Sequence, residues 1–156
     1  MVNEFSEINL RPIGVVKNEM KETGIRPDLR NIVSEIELFP DYAPGLDRLD
    51  EYSHVIVLYH YHMHAGKASI PVRQHAHNRE DYPLVGIFAL RGSNRPNRIG
   101  LGMARLMEVG DSVLKVSGLD AIDGTPVIDI KPYIPRSDSI PEAVVSSWQL
   151  EWQNKR

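Results

Sequence analysis

The chain has 156 residues, 42% hydrophobic and 25% charged, the size and balance of one globular domain with a single core. It holds no cysteine, which excludes disulfide frameworks and thiolate metal sites, and its net charge of -3 argues against a uniformly basic polyanion binder. The start, Met1-Val2-Asn3-Glu4-Phe5, has no targeting pattern, and no apolar run approaches the roughly 18 residues of a membrane span, so a cytoplasmic protein without a membrane partner is expected.

In chain order, short β-branched runs at residues 13–16, 33–39, 54–61, 85–90, 99–108, 112–119 and 127–130 read as strands. Residues 40–45 are turn-like, and the i, i+3 pair Leu46 and Leu49 predicts a short helix over 46–52. Residues 67–81, rich in His, Arg and Pro, read as a long loop. Gly110-Asp111 between two apolar runs predicts a hairpin, and Asp123-Gly124-Thr125-Pro126 a further turn. So many strands with little helical periodicity predict an all-β fold with short helices. Its form is a small closed or nearly closed antiparallel β-barrel of about six to seven strands, since closure removes exposed edges. Residues 1–156 are expected to be a single domain. Its tail, 141–156, carries Trp148 and Trp152 at i, i+4, a short helix docking on the barrel or on a second subunit.

Charge is uneven along the chain. Between Ala65 and Arg105 stand seven basic residues (Lys67, Arg73, Arg79, Arg91, Arg95, Arg98, Arg105) against two acidic ones (Glu80, Asp81), the asymmetry of an anion-binding face or of a solvated surface. Histidines form a second pattern. His60, His62 and His64 alternate with Tyr59, Tyr61 and Met63, so on an extended strand they share one face about 7 Å apart, a spacing that suits zinc or iron. His75 and His77 repeat the spacing.

The most informative stretch is Gly86-Ile87-Phe88-Ala89-Leu90-Arg91-Gly92-Ser93-Asn94-Arg95-Pro96-Asn97-Arg98-Ile99-Gly100-Leu101, in which three arginines and two asparagines gather between two apolar runs. Guanidinium forks offer rigid donors to carboxylate or phosphate. This segment resembles the signature of the TsaA-like (TrmO) family, a G-[VI]-F-A-x-R strand leading into an R-P-N-P-I-G-L loop. Pro12-Ile13-Gly14-Val15-Val16, the region 46–58 with Tyr52-Ser53-His54, and Gly118-Leu119-Asp120-Ala121-Ile122-Asp123-Gly124-Thr125-Pro126 running on to Tyr133 join it in the same order. Three departures are visible, the first being Arg91-Gly92-Ser93 where the family usually has R-S-P. Arg98 stands where the family's last proline would fall, and the early P-R-Q motif is represented only by Ile25-Arg26-Pro27.

The resemblance implies a homodimeric β-barrel methyltransferase that uses S-adenosyl-L-methionine to methylate N6 of a threonylcarbamoylated adenosine beside the anticodon of tRNA. It places cofactor contacts on Arg26, Pro27, His62, Met63, Arg91, Leu101 and the turn Asp120, Ala121, Ile122, Asp123 and Gly124. Arg91, closing the 86–90 strand, is the candidate to grip the methionyl carboxylate. Anticodon-loop bases are splayed and can stack on rings and guanidinium planes, for which Tyr59, Tyr61, Arg95 and Arg98 are the candidates. Asn97 is the candidate to orient the amine, and Tyr133 or Asp123 to accept its proton. No metal is expected, because transfer from a sulfonium requires alignment. Two alternatives stay open: a metal-dependent hydrolase built on the H-x-H-x-H run, and a non-catalytic RNA-binding barrel.

Overall fold

The computed structural model describes residues 7–22, 28–64 and 70–155. Among them the strands run β1 (Gly14–Lys17), β2 (Val33–Leu38), β3 (His54–His60), β4 (Arg73–His75), β5 (Leu84–Gly86), β6 (Ile99–Val109), β7 (Val113–Ser117) and β8 (Pro126–Pro132). They fall into two compact units, residues 1–63 with 99–133, and residues 64–98 with 134–156.

In the first unit six strands close into an antiparallel barrel in the order β1-β2-β7-β6-β3-β8, with β8 returning to β1. This is the all-β barrel expected from the strand pattern. Strand alternation sends Ser34, Ile36 and Leu38 of β2, Val55, Val57 and Tyr59 of β3, and Leu114 and Val116 of β7 to the interior. Each buried Val, Leu or Ile contributes about 1.5–3 kcal/mol, against about 0–1 kcal/mol for an exposed ion pair, so the interior holds the barrel together. One interior position is reserved by glycine. A Cβ on Gly100 would stand 2.4 Å from Tyr59 Cε2, so β6 admits the tyrosine ring only because residue 100 has no side chain. Gly110 turns the β6–β7 hairpin, its amide donating to the Val113 carbonyl at 2.8 Å, as the Gly110-Asp111 pair foretold.

Two expected elements differ. The helix over 46–52 is instead a pair of 3-10 segments, Pro40–Leu46 and Leu49–Glu51, because Pro44 lacks an amide donor and Arg48 sits at φ 63°, breaking any α-helical run. The strand over 85–90 stops at Gly86, and Ile87–Ala89 is a 3-10 turn closed by the Leu90 amide on the Ile87 carbonyl.

That short strand lies in the second unit, where β5 pairs with β4 as a two-stranded hairpin and takes no part in the barrel. The long loop over 67–81 accordingly contains β4 and a 3-10 turn, Ala76–Asn78. Two helices complete the unit, α1 (Pro135–Asp138) and α2 (Ser147–Asn154). The tail forms the expected short helix and docks on this hairpin region. Trp152 stacks flat on His77, ring centroids 4.0 Å apart at 9°, and Trp148 meets the same imidazole edge-on at 5.9 Å. Tyr82 closes the cluster against Trp152 at 5.8 Å.

Candidate functional site

The turn at residues 120–124 enters β8, and the β3–β8 register sets it beside the outgoing end of β3, since Tyr59 pairs with Val127. Gly118 and Gly124 bracket it at φ 88° and 76°, left-handed values that a side chain would strain. From inside the barrel, the Tyr59 hydroxyl donates to the Asp120 carbonyl at 2.8 Å. From the end of β1, Asn18 donates through Nδ2 to the Ala121 carbonyl at 2.7 Å and through its amide to Asp123 Oδ1 at 3.1 Å. The Asp123 amide returns a bond to the Met20 carbonyl at 2.7 Å, and Lys21 Nζ pairs with Asp123 Oδ2 at 2.6 Å. Lys21 first, and then the Asn18 amide, hold the Asp123 carboxyl below the usual carboxylate range. Asp120 is exposed and keeps its carboxylate on the surface of the turn.

Facing the turn is His62. Its Nε2 lies 3.9 Å from the point a Cβ on Gly124 would occupy, ordinary van der Waals distance from the turn. Burial, and then the charge of His60, push the His62 imidazole below its ordinary range, leaving it neutral at pH 7. Tyr61 is half-buried and meets Tyr59 edge-on at 5.4 Å. Met63 is exposed.

Other sequence-derived candidates are dispersed. Tyr59 is 2% exposed, with its ring in the core, so it cannot stack a base and serves the turn instead; the alternation that carried Val55 and Val57 inward carries it too. Leu101 points outward from β6, opposite Leu58. Tyr133 stands beside His54, its amide donating to the His54 carbonyl at 2.9 Å, at the end of β3 remote from the turn. Six strand residues separate those ends, about 20 Å, beyond reach of a group held at the turn of the same chain. Arg26 and Pro27 lie outside the described residues. The histidine run does not stay extended: β3 ends at His60, and His62–His64 is a 3-10 turn, so the strand geometry that would align three imidazoles is lost after the first. Among the described residues no three His, Asp or Glu side chains gather as metal ligands.

In the second unit Arg91 follows the Ile87–Ala89 turn and is exposed, held by no barrel strand, which corrects its expected anchoring. Arg95, expected at the loop tip, is half-buried and donates to the Leu90 carbonyl at 2.6 Å, closing the loop on itself. Asn94 Nδ2 ties the loop to β4 through Gln74 Oε1 at 2.9 Å. Asn97 is exposed, and Arg98 adopts φ 51° where the family pattern has proline. Arg79 is matched by Asp81 at 2.6 Å. Asn18 escaped sequence reasoning altogether, since its partner Ala121 is 103 residues away.

A closed antiparallel barrel with a glycine-bracketed, clasped turn beside a histidine is a class of fold apart from the doubly wound dinucleotide folds. The family model for the tRNA-methyltransferase O N-terminal domain matches residues 16–139, and the chain belongs to that family. It is 36% identical over 142 residues to a probable S-adenosyl-L-methionine-binding protein of Pyrococcus abyssi, covering 88% of this chain and 74% of that protein. It is also 36% identical over 156 residues to the tRNA (adenine(37)-N6)-methyltransferase of Escherichia coli, covering 91% of this chain and 64% of the relative. The crystal structure of TrmO from Pseudomonas aeruginosa superposes with a TM-score of 0.74 at 29% identity, covering 90% of this chain and 62% of that one. The chain thus spans about three-fifths of the Escherichia coli and Pseudomonas aeruginosa proteins.

Proposed function

We propose that this protein transfers a methyl group from S-adenosyl-L-methionine to the exocyclic N6 of an adenosine in tRNA, the threonylcarbamoylated adenosine beside the anticodon. The observation that carries this reading is the family match over residues 16–139, within which lies the clasped turn at 120–124. The residues there suit the cofactor. A sulfonium cation is tolerated beside an uncharged imidazole and an exposed carboxylate, and His62 and Asp120 are such a pair.

Bound there, the cofactor supplies an electrophilic methyl on sulfur; the chain supplies orientation. Asp120, exposed on the turn, would hold the ribose or amino end, and His62 would stand beside the sulfonium without repelling it. An adenine amine is a weak nucleophile, so alignment of nitrogen, methyl and sulfur and the exclusion of water provide most of the acceleration. Asn97, through its side-chain carbonyl, is our assignment for orienting the amine. Arg95 and Arg98 form the anion-binding loop that meets RNA phosphates and exposed bases.

The protein acts as a homodimer in the cytoplasm. Ile99, Leu101 and Met103 expose 37%, 42% and 52% of their surface along β6, an apolar stripe ending at exposed Arg105 and of the kind a second copy covers. Among the described residues no helix is long and apolar enough to cross a membrane. The test is incorporation of labelled methyl from S-adenosyl-L-methionine into total tRNA, followed by nucleoside analysis. Label in an N6-methylated threonylcarbamoyl adenosine is expected; label in another nucleoside, or none, overturns the assignment.

A further inference from the structure

We propose that Asn18 is the positioning residue of this site: with Asp123 as its partner it clasps the 120–124 turn to the end of β1, and Asp123 thereby serves as part of the pocket wall rather than as the proton acceptor. The inference rests on the reading that S-adenosyl-L-methionine binds at that turn.

Every hydrogen-bonding group of the Asn18 side chain is used. Its two Nδ2 hydrogens go to Ser34 Oγ at 2.9 Å and the Ala121 carbonyl at 2.7 Å, while Oδ1 accepts from the Met20 amide at 3.0 Å. Ser34 is 1% exposed, so the amide is anchored on a hydroxyl inside the barrel. A planar group with two donors and one acceptor is required, which asparagine provides and aspartate does not. Asp123 completes the clasp in both directions, accepting from the Asn18 amide at 3.1 Å and donating its own amide to Met20 at 2.7 Å. Lys21 occupies the second carboxylate oxygen at 2.6 Å. A carboxylate bound on both oxygens and held in its ionised form by those partners is a weak base, which disfavours the proton-accepting role.

The clasp also joins two stretches. Residues 18–21, which it fixes, lead directly into the segment containing Arg26 and Pro27, and the turn it fixes holds residues 120–124. Tyr59 grips the same turn from the barrel interior at the Asp120 carbonyl, so the peptide groups of residues 120–123 are constrained from two directions. Removing the Asn18 side chain takes away the bonds to Ser34, Ala121 and Met20, while the main-chain bonds of Asp123 to Met20 and Gly124 to Val16 stay and the barrel strands remain paired.

Hydrogen exchange on the cofactor-free protein tests the clasp by itself. Asn18→Ala is expected to accelerate exchange at the amides of Asp123 and Gly124 while those of β3 and β6 keep their protection; uniform acceleration, or none, overturns the clasp. Titration with S-adenosyl-L-methionine tests the positioning. Asn18→Ala is expected to weaken binding about tenfold, the loss of one or two hydrogen bonds, and Asn18→Asp to fail as a rescue. Ser34→Ala, a milder change that keeps the Ala121 bond, is expected to weaken binding about threefold and guards against a variant that does not fold. Asp123→Asn is expected to raise KM for the cofactor more than it lowers kcat; a collapse of kcat with loss of the acidic limb of the pH–rate profile would make Asp123 the base. If the unaltered protein binds no S-adenosyl-L-methionine, the functional reading fails and the positioning role with it. If it binds and Asn18→Ala binds equally well, the positioning role alone fails.

Discussion

The turn at the barrel end and the arginine loop of the second unit are both short, polar and glycine-containing, yet they are built on opposite plans. At residues 120–124 the peptide groups and one carboxylate are tied by Tyr59, Asn18 and Lys21 to regular strand ends. The 90–98 loop is closed mainly on itself and its hairpin, through Arg95 to Leu90 and Asn94 to Gln74, and presents Arg91, Gly92, Pro96 and Asn97 to solvent. The first plan suits a small ligand, for which fixed geometry lowers the ordering cost of binding. The second suits a polyanion, whose phosphates are met by charge rather than by one fitted pose.

The strongest way to break this contrast is to damage the rigid plan from inside the barrel. Gly100→Val should destabilise the fold by about 1–3 kcal/mol, as overpacking of an interior does, because its Cβ would fall 2.4 Å from Tyr59 Cε2. Denaturant melts should show the loss, and S-adenosyl-L-methionine affinity should fall with the displaced tyrosine. A full-stability variant would mean that Tyr59 can repack without disturbing the turn. Tyr59→Phe removes the hydroxyl bond to Asp120: about 1 kcal/mol in stability and a severalfold weaker cofactor affinity are expected, with tRNA affinity unchanged.

Damage to the other plan should read out differently. Arg95→Ala opens the loop at Leu90 and removes a cation, so tRNA binding should weaken and the salt slope of its logarithm should fall by roughly one unit. Cofactor titration should be unaffected; equal loss of both affinities would show that the loop serves the cofactor.

Protonation offers a smaller probe. The His62 imidazole is held below the ordinary range, so the unfolded chain binds a proton more readily than the folded one. Its stabilising share is therefore present above about pH 6.5 and is lost as pH falls below that toward its folded value. His62→Gln should flatten this part of the stability profile between pH 7.5 and 5, measured by urea midpoints. The smallest expected effect is that of chelation, since sulfonium transfer requires alignment and not a Lewis acid. Treatment with EDTA should leave methyl transfer unchanged; loss restored by zinc would favour a metal role for the histidine segment.

The sequence disclosed the barrel because alternation is a local property. Val55 and Val57 against Ile56 and Leu58, and Leu114 and Val116 against Lys115, announce one buried face without reference to any partner. The same alternation, followed to Tyr59, points its ring inward, where it cannot stack on RNA. Residues 85–90 were ambiguous for another reason: Ile87-Phe88-Ala89 is an apolar run without a period, which fits a strand or a tight turn equally. The histidine run looked continuous because spacing does not reveal where a strand ends. Asn18 was invisible, since its role exists only through Ser34, Ala121 and Asp123, the last two more than a hundred residues away.

The claim on which all of this depends is that S-adenosyl-L-methionine sits at the clasped turn of the barrel. Titrating isotope-labelled protein with the cofactor and following backbone amide shifts addresses it most directly. Saturable shifts concentrated at residues 120–124 and at Tyr61, His62 and Met63 are expected. Saturable shifts elsewhere with those residues unmoved, or no saturable shifts at all, would contradict it.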